Sequence, residues 1–194
     1  MFEQLFKTIE EKIYLTEEEK SLCKTFFLPK KLRKKQYLLQ EGNEGKYIAF
    51  VEKGLLRSYT VGNNGNEHIV QFAFEGWWIG DPYSFLTGEP SAFNIDAIED
   101  SELLLLTRQA EDQMLEKIPK FERYFRLLFQ NSLIAHQRRL AGTLSKSAEE
   151  RYIELVQACP DSFNHRLPQH MLASYLGITP ETLSRIRRQI SLRK

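Results

Sequence analysis

From Gln36 to Leu106 the chain is built of short stretches rich in tyrosine, isoleucine, valine and phenylalanine. Glycines break it at Gly42, Gly45, Gly54, Gly62, Gly65, Gly76, Gly80 and Gly88. β-Branched and aromatic side chains suit a pleated, half-buried surface, and glycine permits the turns between strands. Strands with a turn about every 8 to 12 residues indicate a small barrel or roll. Inside this stretch "GLLRSYTVGNNGNEHIVQFAFEGWW" predicts a hairpin whose turn is "NNGN".

Helical patterning flanks the roll on both sides. Residues 1–28 predict one or two short amphipathic helices, with Thr16 and Glu19 spaced as a capping box ahead of Leu22, Phe26 and Phe27. The basic run in "PKKLRKKQYLLQ" reads as a solvated strand edge. After "DAIEDSE" and "LLLL", the segment "TRQAEDQMLEKI" predicts a short helix ending before Pro119, and a long one runs from Pro119 to about Gly142. At 1.5 Å per residue the long helix spans roughly 35 Å. Its apolar residues, Phe121 to Leu144, wrap round too much of the circumference for a helix lying on one surface, so it has two partners. The second is the same helix of another subunit, with Phe121, Leu128, Ala135 and Gly142 recurring every seven residues, or else the helix is buried within one subunit. Ser147 and Glu150 form a second capping box, opening a helix that Cys159 and Pro160 stop, and residues 142–147 read as a hinge.

The chain closes on "RLPQHMLASYLGITPETLSRIRRQISLRK". This predicts a helix from about Pro168 to Leu176, a tight turn at Gly177, and a second helix capped by Thr179 and opened by Pro180. Leu172, Leu176, Leu183, Ile186 and Ile190 are spaced to face one core, with the small Ala173 at the crossing. That is helix-turn-helix spacing, in which the second helix enters the major groove. Glu181, Thr182, Arg185 and Arg188 are left on the opposite face. Arginine can bond guanine O6 and N7 bidentately, glutamate can accept from cytosine N4, and hydroxyls can reach phosphate.

Charge divides along the same lines. From Arg166 onward six Arg or Lys face one acid, Glu181, so this tail carries +5 while the net charge of +1 leaves −4 for everything before it. The basic end is where a polyanion binds. From Ser58 to Thr107 there is no Lys or Arg, while Glu67, Glu75, Asp81, Glu89, Asp96, Glu99, Asp100 and Glu102 are all acidic. Cys23 and Cys159 lie outside any paired spacing, which excludes zinc-finger and cysteine-ligated cluster chemistry. His68 is the only histidine before the long helix, which rules out a multi-histidine metal site of the cupin kind in the roll. No nucleophile–base pair or nucleotide-hydrolysing loop is present, so an enzyme is not expected, nor is a cofactor. With no apolar run near 18 residues and a mixed-charge start, "MFEQLFKTIEEK", the expected setting is the cytoplasm with no membrane association.

A glycine-punctuated roll, a long central helix, a hinge and a C-terminal helix-turn-helix, in that order, resemble the Crp/Fnr family of bacterial transcription regulators over nearly the whole chain. The sharpest match is "ETLSR", Glu181 to Arg185, similar to the family's recognition-helix pattern of Glu, Thr, an aliphatic, a small residue and Arg. The resemblance implies an α+β chain with three parts. Residues 1–118 form a cyclic-nucleotide-binding-like roll of the double-stranded β-helix or jelly-roll type, residues 119–145 a central dimerisation helix with its hinge, and residues 146–194 the DNA-binding part. By the same carry-over Glu181 and Arg185 read bases, while Thr179, Thr182 and Ser184 approach phosphates. Pro180 replaces the basic residue often found there, so one base contact is missing, and Arg188 substitutes in part. A homodimer on a palindromic operator and contact with RNA polymerase are also implied. Family members usually continue into a two-stranded wing, most of which this chain lacks. Arg187, Arg193 and Lys194 are expected to supply some of its phosphate grip, giving a shallower salt dependence.

Relatives that bind cyclic nucleotides carry Gly-Glu, a short helix, then Arg before Ser or Thr. Here "GDPYSFLTGEPSAFN" keeps Gly80, shortens the acid to Asp81, and sets Pro90 about where the Arg should be, before Ser91 and Ala92. A phosphate desolvated without its cation loses a partner at a cost on the order of 3 to 5 kcal/mol. Cyclic AMP and cyclic GMP are therefore not expected as ligands. Trp77, Trp78, Tyr83, Phe85 and Phe93 cluster round this segment, either as core or as the lining of a pocket for a neutral or aromatic effector that His136 also faces. The competing functional class is an effector-binding module whose terminal helix pair contacts protein rather than DNA.

Overall fold

The computed structural model describes residues 1–159 and 163–192. Pro160, Arg193 and Lys194, to which the sequence assigns a helix stop and a phosphate grip, lie outside the described residues. Helices α1 (Glu3–Glu10) and α2 (Glu17–Lys24) come first. The capping box of α2 forms: the Thr16 hydroxyl accepts from the Glu19 amide at 3.2 Å, and the Glu19 carboxylate accepts from the Thr16 amide at 2.8 Å. Strands β1 (Leu28–Leu32), β2 (Tyr37–Leu39), β3 (Tyr47–Lys53), β4 (Leu56–Val61), β5 (Glu67–Ala73) and β6 (Trp78–Ile79) follow. Then come α3 (Pro82–Thr87), β7 (Asn94–Ala97) and β8 (Ser101–Thr107). The strands form two sheets, ordered β1-β8-β3-β6 and β2-β7-β4-β5. The remaining elements are α4 (Arg108–Lys117), α5 (Lys120–Ser145), α6 (Ala148–Ala158), α7 (Phe163–Arg166), α8 (Gln169–Leu176) and α9 (Pro180–Leu192). The fold is α+β, with an antiparallel roll, a long helix and C-terminal helices. Among the described residues no helix is long and apolar enough to cross a membrane.

The four consecutive leucines 103–106 show how the roll is seated. All four are buried, because alternate side chains of a strand point to opposite faces and both faces of β8 are covered. Leu103 and Leu105 join Ala49 and Val51 of β3 in the core between the sheets. Leu104 and Leu106 join Phe50 in a second core with Leu5 and Ile9 of α1, Met114 of α4 and Phe121, Tyr124 and Phe125 of α5.

Strand structure begins at Leu28, earlier than the glycine pattern indicates. The first part of the basic run lies in β1, an edge strand, and the run meets acidic partners 66 to 71 residues away. Lys31 stands opposite Glu102 with an ion pair of 3.2 Å, and the Lys34 amide donates to the Asp100 carboxylate at 2.8 Å. Such exposed pairs contribute at most about 1 kcal/mol each, yet lysines along an edge also discourage pairing with foreign strands.

By compactness the chain divides into two units. One joins Met1–Thr60 to Val70–Gln130; the other joins Val61–Ile69 to the chain from Asn131 onward. The division falls inside α5, and α5 runs through Gly142 to Ser145, so the break before α6 is shorter than the hinge expected from sequence. Phe121 is buried, and Leu128 packs against the same core, so the seven-residue series starting at Phe121 is not the free face of this helix. An α-helix drifts about 20° per heptad, which carries that series round from core to a different surface. The apolar side chains that stand free are Phe129, Leu133, Ile134, Leu140 and Leu144.

Candidate nucleic-acid interface and effector site

In the second unit, α8 and α9 are held together by Leu172, Ala173, Leu176, Leu183 and Ile186, all buried, with Ile190 half-buried beside them. Gly177 makes the turn at φ 66°, a left-handed conformation that glycine adopts without the steric cost of a Cβ. The Thr179 hydroxyl accepts from the Thr182 amide at 3.3 Å and donates to the Thr182 hydroxyl at 3.2 Å, capping α9 where the sequence predicts. Thr179 and Thr182 are thus bonded to each other at the helix start. The Glu181 carboxyl is held below its usual range, first by a bond to its own backbone amide and then by the Thr179 hydroxyl. It is ionised at neutral pH and fit to accept a hydrogen bond.

Glu181, Arg185 and Arg188 are exposed at i, i+4 and i+7 and share one face of α9. Among the described residues no bond or ion pair is formed by the Arg185 or Arg188 guanidinium, so both are available to a ligand. Ser184 is different: it donates to the Pro180 carbonyl at 3.0 Å and receives a bond from the Gln169 side chain. Arg187 is different too, since its Nε donates to the Tyr152 hydroxyl of α6 at 3.2 Å. With its guanidinium 5.7 Å from the centre of the Tyr152 ring, it ties α9 to α6.

Sequence reasoning passed over the residues that aim this helix. Gln169, at the first position of α8, donates to the Pro180 carbonyl at 3.0 Å as well as to Ser184, tying the starts of both helices. Arg151 of α6 donates to the Lys146 carbonyl at 2.7 Å and to the Leu176 carbonyl at 3.1 Å, satisfying an orphan acceptor at the end of α8. The bonds from Gln169 to Pro180 and Ser184 and from Arg151 to Leu176 join residues 11, 15 and 25 apart in sequence, and no local pattern announces them.

The cassette in the first unit is closed upon itself. Asp81 is buried, accepting from the Tyr83 amide at 3.0 Å as the cap of α3 and from the Ser91 hydroxyl at 2.7 Å. Gly80 leads into it, Ala92 and Tyr83 are exposed, and His136 is an exposed residue of α5 whose Nδ1 lies 2.8 Å from the Ser132 carbonyl. Trp78 packs against the core of the first unit. Its indole donates to the Tyr124 hydroxyl at 3.0 Å, and its rings pack at 5.4 Å from Phe50 and 5.8 Å from Phe125. Phe85 is buried as well, while Trp77 is largely exposed against the edge of Phe74.

Arg57 is the cation immediately before the Lys- and Arg-free window. Arg57 of β4 pairs with Asp96 of β7 through two bonds, 2.7 Å from Nε and 3.0 Å from a terminal nitrogen. Its guanidinium lies 4.2 Å from the centre of the Tyr59 ring. By strand alternation Arg57 and Asp96 occupy the face opposite Leu56 and Ile95, which point into the core between the sheets. Arg57 is committed and turned away from that interior. The cavity near this end of the roll, lined by Tyr37, Leu39, Tyr47, Ile95 and the turn after β2, holds about 190 Å³. Ligand clefts usually measure roughly 300 to 1,000 Å³.

Residues 29–118 match the cyclic nucleotide-binding domain family. Over 167 residues, 81% of this chain, the sequence is 26% identical to the fumarate and nitrate reduction regulatory protein of Vibrio cholerae and 23% identical to electron transport regulator A of Shewanella oneidensis. The matched region spans 66% of the length of each of these relatives. Among solved structures, FixK2 from Bradyrhizobium japonicum superposes with a TM-score of 0.73 at 20% identity, covering 86% of this chain and 85% of that one. The catabolite activator protein of Thermus thermophilus gives 0.58 at 23% identity over 92% and 85%.

Proposed function

We propose that this chain, which belongs to the Crp/Fnr family of transcription regulators, binds duplex DNA as a homodimer and reads an inverted-repeat operator through α9. The observation that carries this reading is the exposed face of Glu181, Arg185 and Arg188, on a helix whose other side is anchored by Leu183 and Ile186. Arg185 supplies a bidentate donor pair for guanine, Glu181 an acceptor for cytosine, and Arg188 a further cation for base or backbone. Thr179 and Thr182 set the helix start near phosphate, with Ser184 held back by its bonds to Gln169 and Pro180. The second subunit adds its own α9, and the free apolar residues of α5 from Phe129 to Leu144 form the seam between the two. Contact with RNA polymerase follows from family membership and belongs to this proposal, as does a cytoplasmic setting.

Selection from a pool of random duplexes tests it. The expected yield is inverted repeats whose half-sites lie about one helical turn apart. Recovery of only asymmetric sites, or of no sequence preference, would contradict it and favour a helix pair that contacts protein.

The roll in this reading does not take cyclic AMP or cyclic GMP. Asp81 and Ser91 satisfy each other, Arg57 is held by Asp96, and the interior between the sheets is filled by leucine, isoleucine, valine and alanine side chains. Calorimetric titration of either nucleotide is expected to give no binding at micromolar concentration. A micromolar Kd would sink this part of the account while leaving the DNA interface in place. The regulator is either effector-free or responds to a molecule of other chemistry.

A further inference from the structure

Two side chains of the second unit fasten the strand segment 67–69 to the first helix of the helix-turn-helix. The Ile69 amide donates to the Ser174 hydroxyl at 3.0 Å, and that hydroxyl donates to the Glu67 carbonyl at 2.7 Å. Arg139 of α5 donates to the Ile69 carbonyl and to the Tyr175 carbonyl, each at 3.1 Å, with its guanidinium 3.9 Å from the centre of the Tyr175 ring. β5 is the last strand of its sheet, so these are peptide groups that an edge leaves open. The Tyr175 carbonyl belongs to the final turn of α8, where helix carbonyls lack intrahelical donors and cations are favoured. Arg151 takes the next carbonyl, that of Leu176, from α6. α8 is thereby pinned to α5, to α6 and to residues 67–69 by directional bonds, while its apolar contacts hold α9.

We infer that Arg139 and Ser174 are positioning residues that fix the offset between the α5 seam and the recognition helix, and so set the half-site spacing the dimer accepts. This rests on the dimeric DNA-binding reading above. Neither residue is on the exposed face of α9, and neither is assigned a contact with bases. A rigid dimer gains from its second half-site only when geometry lets both helices engage together; a linkage loosened at Arg139 or Ser174 tolerates a wider range of separations.

The experiment uses the full chain and duplexes carrying two selected half-sites at the selected spacing, at two base pairs more and at two fewer, together with a duplex carrying one half-site. The unaltered protein is expected to lose about 100-fold in affinity when the spacing changes. Arg139→Gln and Ser174→Ala are each expected to shrink that loss to below about 10-fold, with single half-site affinity unchanged. Arg139→Lys, which keeps the charge but loses the planar guanidinium that lies on the Tyr175 ring while one terminal nitrogen donates to both carbonyls, is expected to fall between them. Ser174→Thr, which retains the hydroxyl, is expected to restore the strict spacing. Hydrogen exchange at the Ile69 amide, faster in Ser174→Ala, confirms that the bond was opened in a folded protein. The inference is overturned if Ser174→Ala exchanges faster at Ile69 yet keeps the full spacing penalty, or if the unaltered protein shows no spacing preference. Failure of the unaltered protein to bind any duplex would instead overturn the DNA-binding reading itself.

Discussion

Arg185→Ala is expected to erase sequence discrimination while leaving the fold and the dimer unchanged. Arg185 is exposed on α9, and among the described residues its guanidinium makes no bond, so truncation removes no packing and strands no buried partner. A bidentate arginine–guanine contact discriminates by roughly 1 to 3 kcal/mol against a wrong base, about 5- to 150-fold at each half-site. A dimer makes the contact twice, so the expected loss on a selected operator is on the order of 100-fold or more, against little change on an unrelated duplex. Competition between those two duplexes in a fluorescence anisotropy titration measures the ratio directly. Removing a phosphate-contacting cation instead lowers affinity for both duplexes alike and reduces the salt slope by about one per contact.

Leu133→Glu combined with Leu140→Glu is expected to yield a monomer. These side chains are 60% and 64% exposed in the single chain, so acidic replacements there leave both cores untouched. Phe129, Leu133, Leu140 and Leu144 step by four, seven and four residues, the spacing of a helical seam. Burial of each such side chain contributes about 1.5 to 3 kcal/mol, and a two-fold interface repeats every contact. Facing carboxylates reverse that gain by desolvation and repulsion. Sedimentation equilibrium is expected to show the unaltered chain at twice the mass of the variant. On a duplex with two half-sites the monomer is expected to bind no tighter than on one, an avidity loss of about 100-fold or more.

The parts of this structure that follow from neighbours in sequence were legible. The caps at Thr16, Ser147 and Thr179 and the left-handed turn at Gly177 each depend on residues within one helical turn, and all form where their spacing predicts. The buried strand at Leu103 to Leu106 announces itself by composition. What was not legible joins distant residues. Arg57 finds Asp96 only when β4 lies beside β7, and the basic run finds Asp100 and Glu102 only when β1 lies beside β8. Apolar period alone could not say which face of α5 stays free, because the first turns of that helix belong to the core and the later ones do not. At the interface, Glu181, Arg185 and Arg188 followed from the helix period, whereas Gln169, Arg139, Arg151 and Ser174 act through backbone carbonyls and amides that no side-chain pattern encodes. The aromatic cluster round the cassette fits two readings in sequence; the bond from Trp78 to Tyr124 assigns that tryptophan to the core.

Native mass spectrometry of the complex between the full chain and one duplex bearing two inverted half-sites tests the central claim most directly. Two chains on one duplex are expected for the unaltered protein, and a single chain for the Leu133→Glu, Leu140→Glu variant. One chain per duplex for both proteins, or no complex with any selected duplex, would contradict a dimer that reads DNA through α9.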